Sequence, residues 1–197
     1  MSKTARKITR DDILGDAAYE RVRREKRDAM IELKRRRRMS VGPFATFYFE
    51  NFDTMWYQVH EMLRAESGGE AQVDDELAAY NPLIPNGREL VATLMFEIED
   101  PAERHEMLSG LGGVEETVTL TLGADVIKAR PEHDVERTKA DGKTSSVHFL
   151  HFPLTDDQAV AFKAGRVDAV IAINRRGYQH MATIPAEMRT ALAADLD

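Results

Sequence analysis

Three residues combine suitable types with a suitable placement for a metal site. Glu50 ends a predicted strand, Glu61 lies on the helix that follows, and His148 lies on a later strand. Two carboxylates and an imidazole suit iron, manganese or zinc. We therefore predict a metal site built from Glu50, Glu61 and His148. The alternative is that Glu61 is a surface residue and His148 a hydrogen-bonded, half-buried histidine.

Two stretches begin like the zinc motif of a metalloprotease, at His60 and at His105. That motif needs a second histidine four residues after the first, so that both rings meet one ion. Arg64 and Ser109 occupy those two positions. Neither stretch is therefore a protease motif, and the sequence assigns no reaction.

The 197-residue chain contains no cysteine. Disulfides, thiolate metal sites, protein-ligated iron–sulfur clusters and cysteine nucleophiles are therefore excluded. A metal would have to be bound by histidine, carboxylate or backbone oxygen.

Charge is distributed unevenly along the chain. Residues 1–40 hold 14 lysines and arginines against 7 acidic residues, whereas residues 41–197 hold 13 against 27. The basic part ends in a run of five cations: Lys34, Arg35, Arg36, Arg37 and Arg38. This run is a candidate for binding phosphates or an acidic protein face. The alternative is a solvated helix end, where cations favour the helix dipole.

Aromatic residues follow the basic run, which is one reason to consider nucleic acid as a ligand. However, 44–49 has the pattern of a buried strand, and the rest of the chain is acidic. Nucleic-acid binding through Lys34–Arg38 is therefore kept only as a disfavoured alternative.

The elements that would position these residues alternate between helices and strands. A long basic helix is predicted from Asp11 or Asp12 to about Arg38, with a thin apolar stripe that packs on the rest of the molecule. Further helices are predicted to begin near Asp53, Asp74, Asp100, Thr155 and Pro185. Seven strands are predicted at 44–49, 90–98, 115–122, 125–130, 147–154, 167–173 and 179–184. Tight turns between several strands favour an α+β fold with a mixed, mainly antiparallel sheet.

We expect a single domain over 1–197, with a basic helical arm at 1–40 and an acidic α+β body at 41–197. No apolar run is long enough to cross a membrane, and the first residues do not form a secretory signal. The protein is therefore expected to be cytoplasmic. The first helix could also pack across a homodimer.

Four stretches resemble an uncharacterised bacterial domain-of-unknown-function family: Glu50–Thr54, Gln58–Glu66, Asp75–Pro85 and Lys143–Leu150, together with the opening helix and its arginine run. The resemblance covers nearly the whole chain. It implies genes for a rubrerythrin and for an iron–sulfur oxidoreductase with cysteine-rich domains as frequent neighbours. A redox or peroxide-stress setting follows, with no assigned reaction.

The leading hypothesis is thus an accessory protein of that redox system, which works by contact with a rubrerythrin-like or iron–sulfur oxidoreductase partner. A metal-binding protein or metal-dependent enzyme is the first alternative. A nucleic-acid binder is the second.

Overall fold

The computed structural model describes residues 4–66, 69–132 and 143–197. Within them the helices are α1 Asp16–Arg35, α2 Phe52–Glu66, α3 Glu70–Tyr80, α4 Pro101–Gly110, α5 Asp156–Ala164 and α6 Ala186–Ala193. The strands are β1 Arg38–Val41, β2 Ala45–Phe49, β3 Glu89–Phe96, β4 Val118–Leu122, β5 Asp125–Lys128, β6 Arg130–Pro131, β7 Val147–Pro153, β8 Ala169–Arg175 and β9 Tyr178–Thr183. Three short 3₁₀ turns lie at Arg10–Asp12, Asn81–Leu83 and Val114–Thr117.

The strands form two antiparallel sheets. The first has the order β1-β2-β3-β7-β6, and the second has the order β5-β4-β8-β9. Alternating side chains of β2 and β3 send Phe47, Phe49, Leu90 and Leu94 to one face of the first sheet, where they meet the apolar face of the second sheet. This shared core also includes residues of α5 and α6, such as Phe162 and Leu192.

The other face of the first sheet is covered by helices. Val91 of β3 packs there in one apolar cluster with Met55 and Val59 of α2 and with Leu83 and Ile84, which follow α3. Helix α1 lies against α2 and forms the outermost layer on this side. The described elements are therefore stacked as helices, first sheet, shared core and second sheet.

Tyr178 of β9 joins the two sheets through its hydroxyl group. The hydroxyl accepts from the backbone N–H groups of Phe44 and Ala45, at 2.9 and 2.8 Å, and donates to the carbonyl of Val41 at 2.9 Å. The turn that it binds contains Gly42 at φ +78°, where a Cβ would lie 2.5 Å from the ring of His180. Glycine is thus required by both the backbone and the close packing.

The predicted α+β class with mainly antiparallel strands is confirmed. Three details differ from the sequence-based expectation. The first helix begins at Asp16 and ends at Arg35, and residues Arg38–Val41 pair with β2 as an extra strand. The strands also divide into two sheets rather than one.

In the described ranges, no helix has the length and apolar character needed to cross a membrane.

Candidate functional site

Glu61, one of the predicted metal ligands, is bound by two residues of α1. Arg23 donates from Nε and Nη2 to the two carboxylate oxygens, at 2.8 Å each, and the Tyr19 hydroxyl donates to Oε1 at 2.8 Å. These hydrogen bonds hold the pKa of Glu61 below its usual range, with Arg23 the main cause. Glu61 therefore acts in this structure as the anchor between α1 and α2.

Glu50 lies just beyond β2, on the helical side of the first sheet. Its Oε1 accepts from the Thr93 hydroxyl at 2.7 Å, and its side chain is buried. Its backbone carbonyl accepts from Arg37 at 3.0 Å.

His148 lies on the opposite side of the first sheet and is fully buried. Its Nε2 is 2.9 Å from the Ser145 carbonyl and 3.3 Å from the Thr144 hydroxyl, and its Nδ1 is 3.7 Å from Oε2 of Glu115. Since a carbonyl can only accept, Nε2 carries a proton. The second ring nitrogen therefore faces a carboxylate inside the core.

The structure does not bring the three predicted ligands together. Glu50 and His148 project from opposite faces of one sheet, and Glu61 lies farther out, between two helices. Among the described residues no group of three or more histidine and acidic side chains could hold a metal ion. The prediction grouped these residues by type and sequence context, whereas strand alternation separates them.

The five cations of the basic run are also dispersed. Lys34 and Arg35 end α1, where Arg35 pairs with Glu32 at 3.3 Å, and Arg36 follows as the C-cap residue. Arg38 begins β1 with its side chain exposed. They do not form one continuous cationic face, because a strand begins within the run.

Arg37 of this run is buried and serves the fold. Its guanidinium donates to the backbone carbonyls of Phe49, Glu50 and Ala191 at 3.0, 3.0 and 3.2 Å, and it forms an ion pair with Asp195. Burial raises the pKa of Asp195, although Arg37 opposes that shift. Arg37 is therefore committed to the fold and is not available to an external anion.

An aromatic cluster fixes α1 on α2. The ring of His60 lies 4.0 Å from that of Trp56 and 4.7 Å from that of Tyr19, measured between centroids. The Leu14 N–H donates to His60 Nε2 at 3.0 Å, so His60 Nδ1 carries the proton and donates to the Trp56 carbonyl at 2.8 Å. Burial lowers the pKa of His60, which is consistent with this neutral tautomer.

Beyond this cluster, the two helices enclose an open groove of about 370 Å³. This volume lies in the range of binding pockets, and its lining combines apolar and aromatic side chains with polar groups. The lining residues from α1 are Lys26, Ala29, Met30 and Leu33, and those from α2 are Phe52, Asp53, Trp56 and Tyr57.

Cations lie along one rim of this groove. Lys26 places its Nζ 5.6 Å from the centroid of the Trp56 ring, and Arg27 lies near Tyr57 and is exposed. The groove thus combines apolar and aromatic side chains with two cations along one rim and one carboxylate, that of Asp53, in its lining. Sequence patterns could have indicated its two walls, since positions 26, 29, 30 and 33 share one helical face, as do 52, 53 and 56.

A further polar cluster, not predicted from the sequence, surrounds His151 of β7. Its Nδ1 lies 3.0 Å from Glu89 Oε2, and its Nε2 lies 3.5 Å from Glu132 Oε1. Hydrogen bonding to Glu132 and then to Glu89 raises the pKa of His151 to about 9. The imidazolium therefore holds β7 to β3 and to the residue after β6.

These features define a class of α+β protein in which two antiparallel sheets share one core and a helical pair forms a groove on the outside. The chain belongs to the family described as "Protein of unknown function (DUF3501)", whose model matches residues 7–196. This confirms the predicted membership of an uncharacterised family.

A crystal structure of a novel protein of unknown function from Burkholderia pseudomallei has the same fold. It is 38% identical in sequence, with a TM-score of 0.89 over 96% of this chain and 99% of that one. Among curated proteins, no relative of the chain was found.

Proposed function

We propose that the protein is an accessory protein that recognises a partner protein through the groove between α1 and α2. The observation that supports this function is the combination of an apolar, aromatic floor with a cationic rim. Tryptophan, tyrosine, methionine and arginine are the residue types enriched at the centres of protein interfaces. The sequence contains no complete catalytic motif that would point to an enzyme instead.

The partner segment that fits best is an amphipathic helix whose polar face is acidic. A groove between two helices accepts the apolar face of a third, which is a common form of peptide recognition. The wall formed by Lys26 to Leu33 is about 10 Å long at 1.5 Å per residue, which corresponds to two helical turns. Acidic residues on the partner helix would meet Lys26 and Arg27.

The cellular setting is proposed from the family resemblance. It implies a redox or peroxide-stress system, in which a rubrerythrin-like protein or an iron–sulfur oxidoreductase would supply the bound helix. This chain would contribute the contact, since without cysteine it offers no thiolate for an iron–sulfur cluster.

A pull-down with purified proteins from the same host tests the proposal. Ala29→Glu places a carboxylate in the groove at an exposed helical position, and Ala17→Glu makes the same change in α1 away from the groove. We expect the wild-type protein and Ala17→Glu to retain one of the two candidate partners, and Ala29→Glu to lose it. Retention of neither candidate by the wild-type protein would overturn the proposal.

A further inference from the structure

The second sheet presents a face that differs from the rest of the molecular surface. On this face the two central strands carry the partly exposed side chains of Thr119, Thr121, Val170 and Ala172, and the two edge strands add the exposed Val126 and Met181. Three further positions on the face carry amide or hydroxyl side chains. Lys128 is the one charged residue among the ten outward-facing positions of these four described strands.

The edges of this face are exposed in the described structure, and its centre is partly exposed. Val126 is 65% exposed and Met181 is 74% exposed, which are high values for apolar side chains on a sheet. The opposite face of the same strands is packed into the shared core, with Leu120 and Ile171 fully buried. Because side chains alternate along each strand, one face of the second sheet is packed into the core, and the other face is nearly uncharged and turned toward solvent.

We propose that this face is the interface of a homodimer in which two copies pack sheet against sheet. The charge of the chain favours a second copy as the occupant. Each copy carries a net charge of −7, and two copies repel each other wherever carboxylates meet. A face without carboxylates allows self-association, and a sheet face packs isologously on itself around a twofold axis.

The size of the face is sufficient for a reversible dimer. Four strands about 4.8 Å apart, each contributing about five residues of about 3.4 Å, make a face of roughly 19 by 17 Å. This outline is about 320 Å² per copy, so two copies would bury on the order of 650 Å², and somewhat more with the relief of the side chains, which is the size of a weak, transient interface. We therefore expect a weak, reversible dimer that forms as the protein concentration is raised.

The proposed dimer leaves the groove accessible. The groove lies in the helical layer outside the first sheet, and the proposed interface is the outer face of the second sheet. A dimer would therefore present two grooves to its partners, and binding to a dimeric partner would be strengthened by avidity.

Sedimentation velocity between about 1 and 100 μM tests this proposal. Val126→Glu adds a carboxylate to the face, and Val160→Glu makes the same change at an equally exposed position (65%) on α5. We expect concentration-dependent dimers for the wild-type protein and Val160→Glu, and a dissociation constant at least about tenfold higher for Val126→Glu.

Met181→Glu, on the other edge strand, should weaken the dimer in the same way. Both positions are exposed, so the circular dichroism spectrum of each variant should match that of the wild-type protein. A wild-type protein that remains monomeric at 100 μM would overturn the proposal. Dimers that are unchanged in both Val126→Glu and Met181→Glu would also overturn it. Groove binding is measured separately, so failure of one proposal does not imply failure of the other.

Discussion

At the residue scale, individual polar side chains form hydrogen bonds between separate segments of the chain and so stabilise their packing. The Tyr178 hydroxyl is an example. Its single oxygen accepts hydrogen bonds from two backbone N–H groups and donates one to a carbonyl, all at the turn between β1 and β2. The residue itself is buried. Its removal would leave backbone donors without this partner in a region of low dielectric.

Tyr178→Phe is therefore expected to lower the free energy of unfolding by about 1–3 kcal/mol. Urea denaturation followed by circular dichroism measures the change. Tyr57→Phe removes the same atom from a partly exposed ring and should change stability by less than about 0.5 kcal/mol. Equal effects of the two substitutions would contradict the role assigned to Tyr178.

His151 makes a contribution to stability that depends on pH. Its folded-state pKa of about 9 exceeds the ordinary value of 6.5 because it lies between two carboxylates. A raised pKa means that the folded state binds the proton more tightly than the unfolded state. The contribution is therefore fully present below pH 6.5 and is lost as the pH rises to about 9.

We expect His151→Gln to destabilise the protein by on the order of 2–3 kcal/mol at pH 6, and by much less at pH 10. The measurement is the difference in unfolding free energy between variant and wild-type protein across this range. His105→Gln, an exposed position on α4, is the control and should show a small difference at every pH. A difference for His151→Gln that does not shrink as the pH rises would contradict this account.

At the element scale, two of the ion pairs between α1 and α2 differ in solvent exposure and therefore in expected strength. Arg23 and Glu61 form a bidentate pair that is supported by Tyr19, and their side chains are 28% and 24% exposed. Arg64 and Glu20 form a pair at about 46% and 52% exposure. Desolvation and the extra hydrogen bond strengthen the first pair, while solvent weakens the second.

Arg23→Met is accordingly expected to lower stability by more than Arg64→Met does, since it leaves a partly buried carboxylate without its main partner. Arg64→Met should cost about 0–1 kcal/mol. Thermal unfolding and hydrogen exchange of α1 measure the two effects. A larger loss from Arg64→Met would contradict this ranking.

The accuracy of the sequence-based prediction also differs from element to element. The helix after Asp100 could be identified from the sequence because Asp100 is a local capping signal. Its side chain accepts hydrogen bonds from the N–H groups of Ala102 and Glu103. Strand β1 was missed because it has four residues, begins at the last cation of the basic run and carries little local signal. Its burial pattern, with Met39 and Val41 inside, becomes visible only when β2 is placed beside it.

The candidate site was predictable only in part for a similar reason. Glu61 was identified as a chemically important residue, but its partners Arg23 and Tyr19 lie about 40 positions earlier in the chain. Which residues meet depends on how α1 crosses α2, which no local pattern specifies. The grouping of Glu50 with His148 failed because the two project from opposite faces of one sheet.

At the scale of the whole molecule, two open surfaces lie on opposite outer layers. The groove between α1 and α2 combines aromatic side chains with cations, whereas the outer face of the second sheet is nearly free of charge. This difference in chemistry suits different occupants, an acidic partner helix in the groove and a second copy on the sheet. The proposed dimer would therefore carry two recognition grooves that face away from its interface.

The fluorescence of Trp56 tests the central claim most directly, because Trp56 is the one tryptophan of the chain and lines the groove. Titration with the two purified candidate partners in turn should give a saturable change in emission with at least one of them. The affinity should fall with salt and fall at least about tenfold in Ala29→Glu, with Ala17→Glu unchanged. Binding that is equally tight in Ala29→Glu, or no binding of either partner to the wild-type protein, would contradict the account.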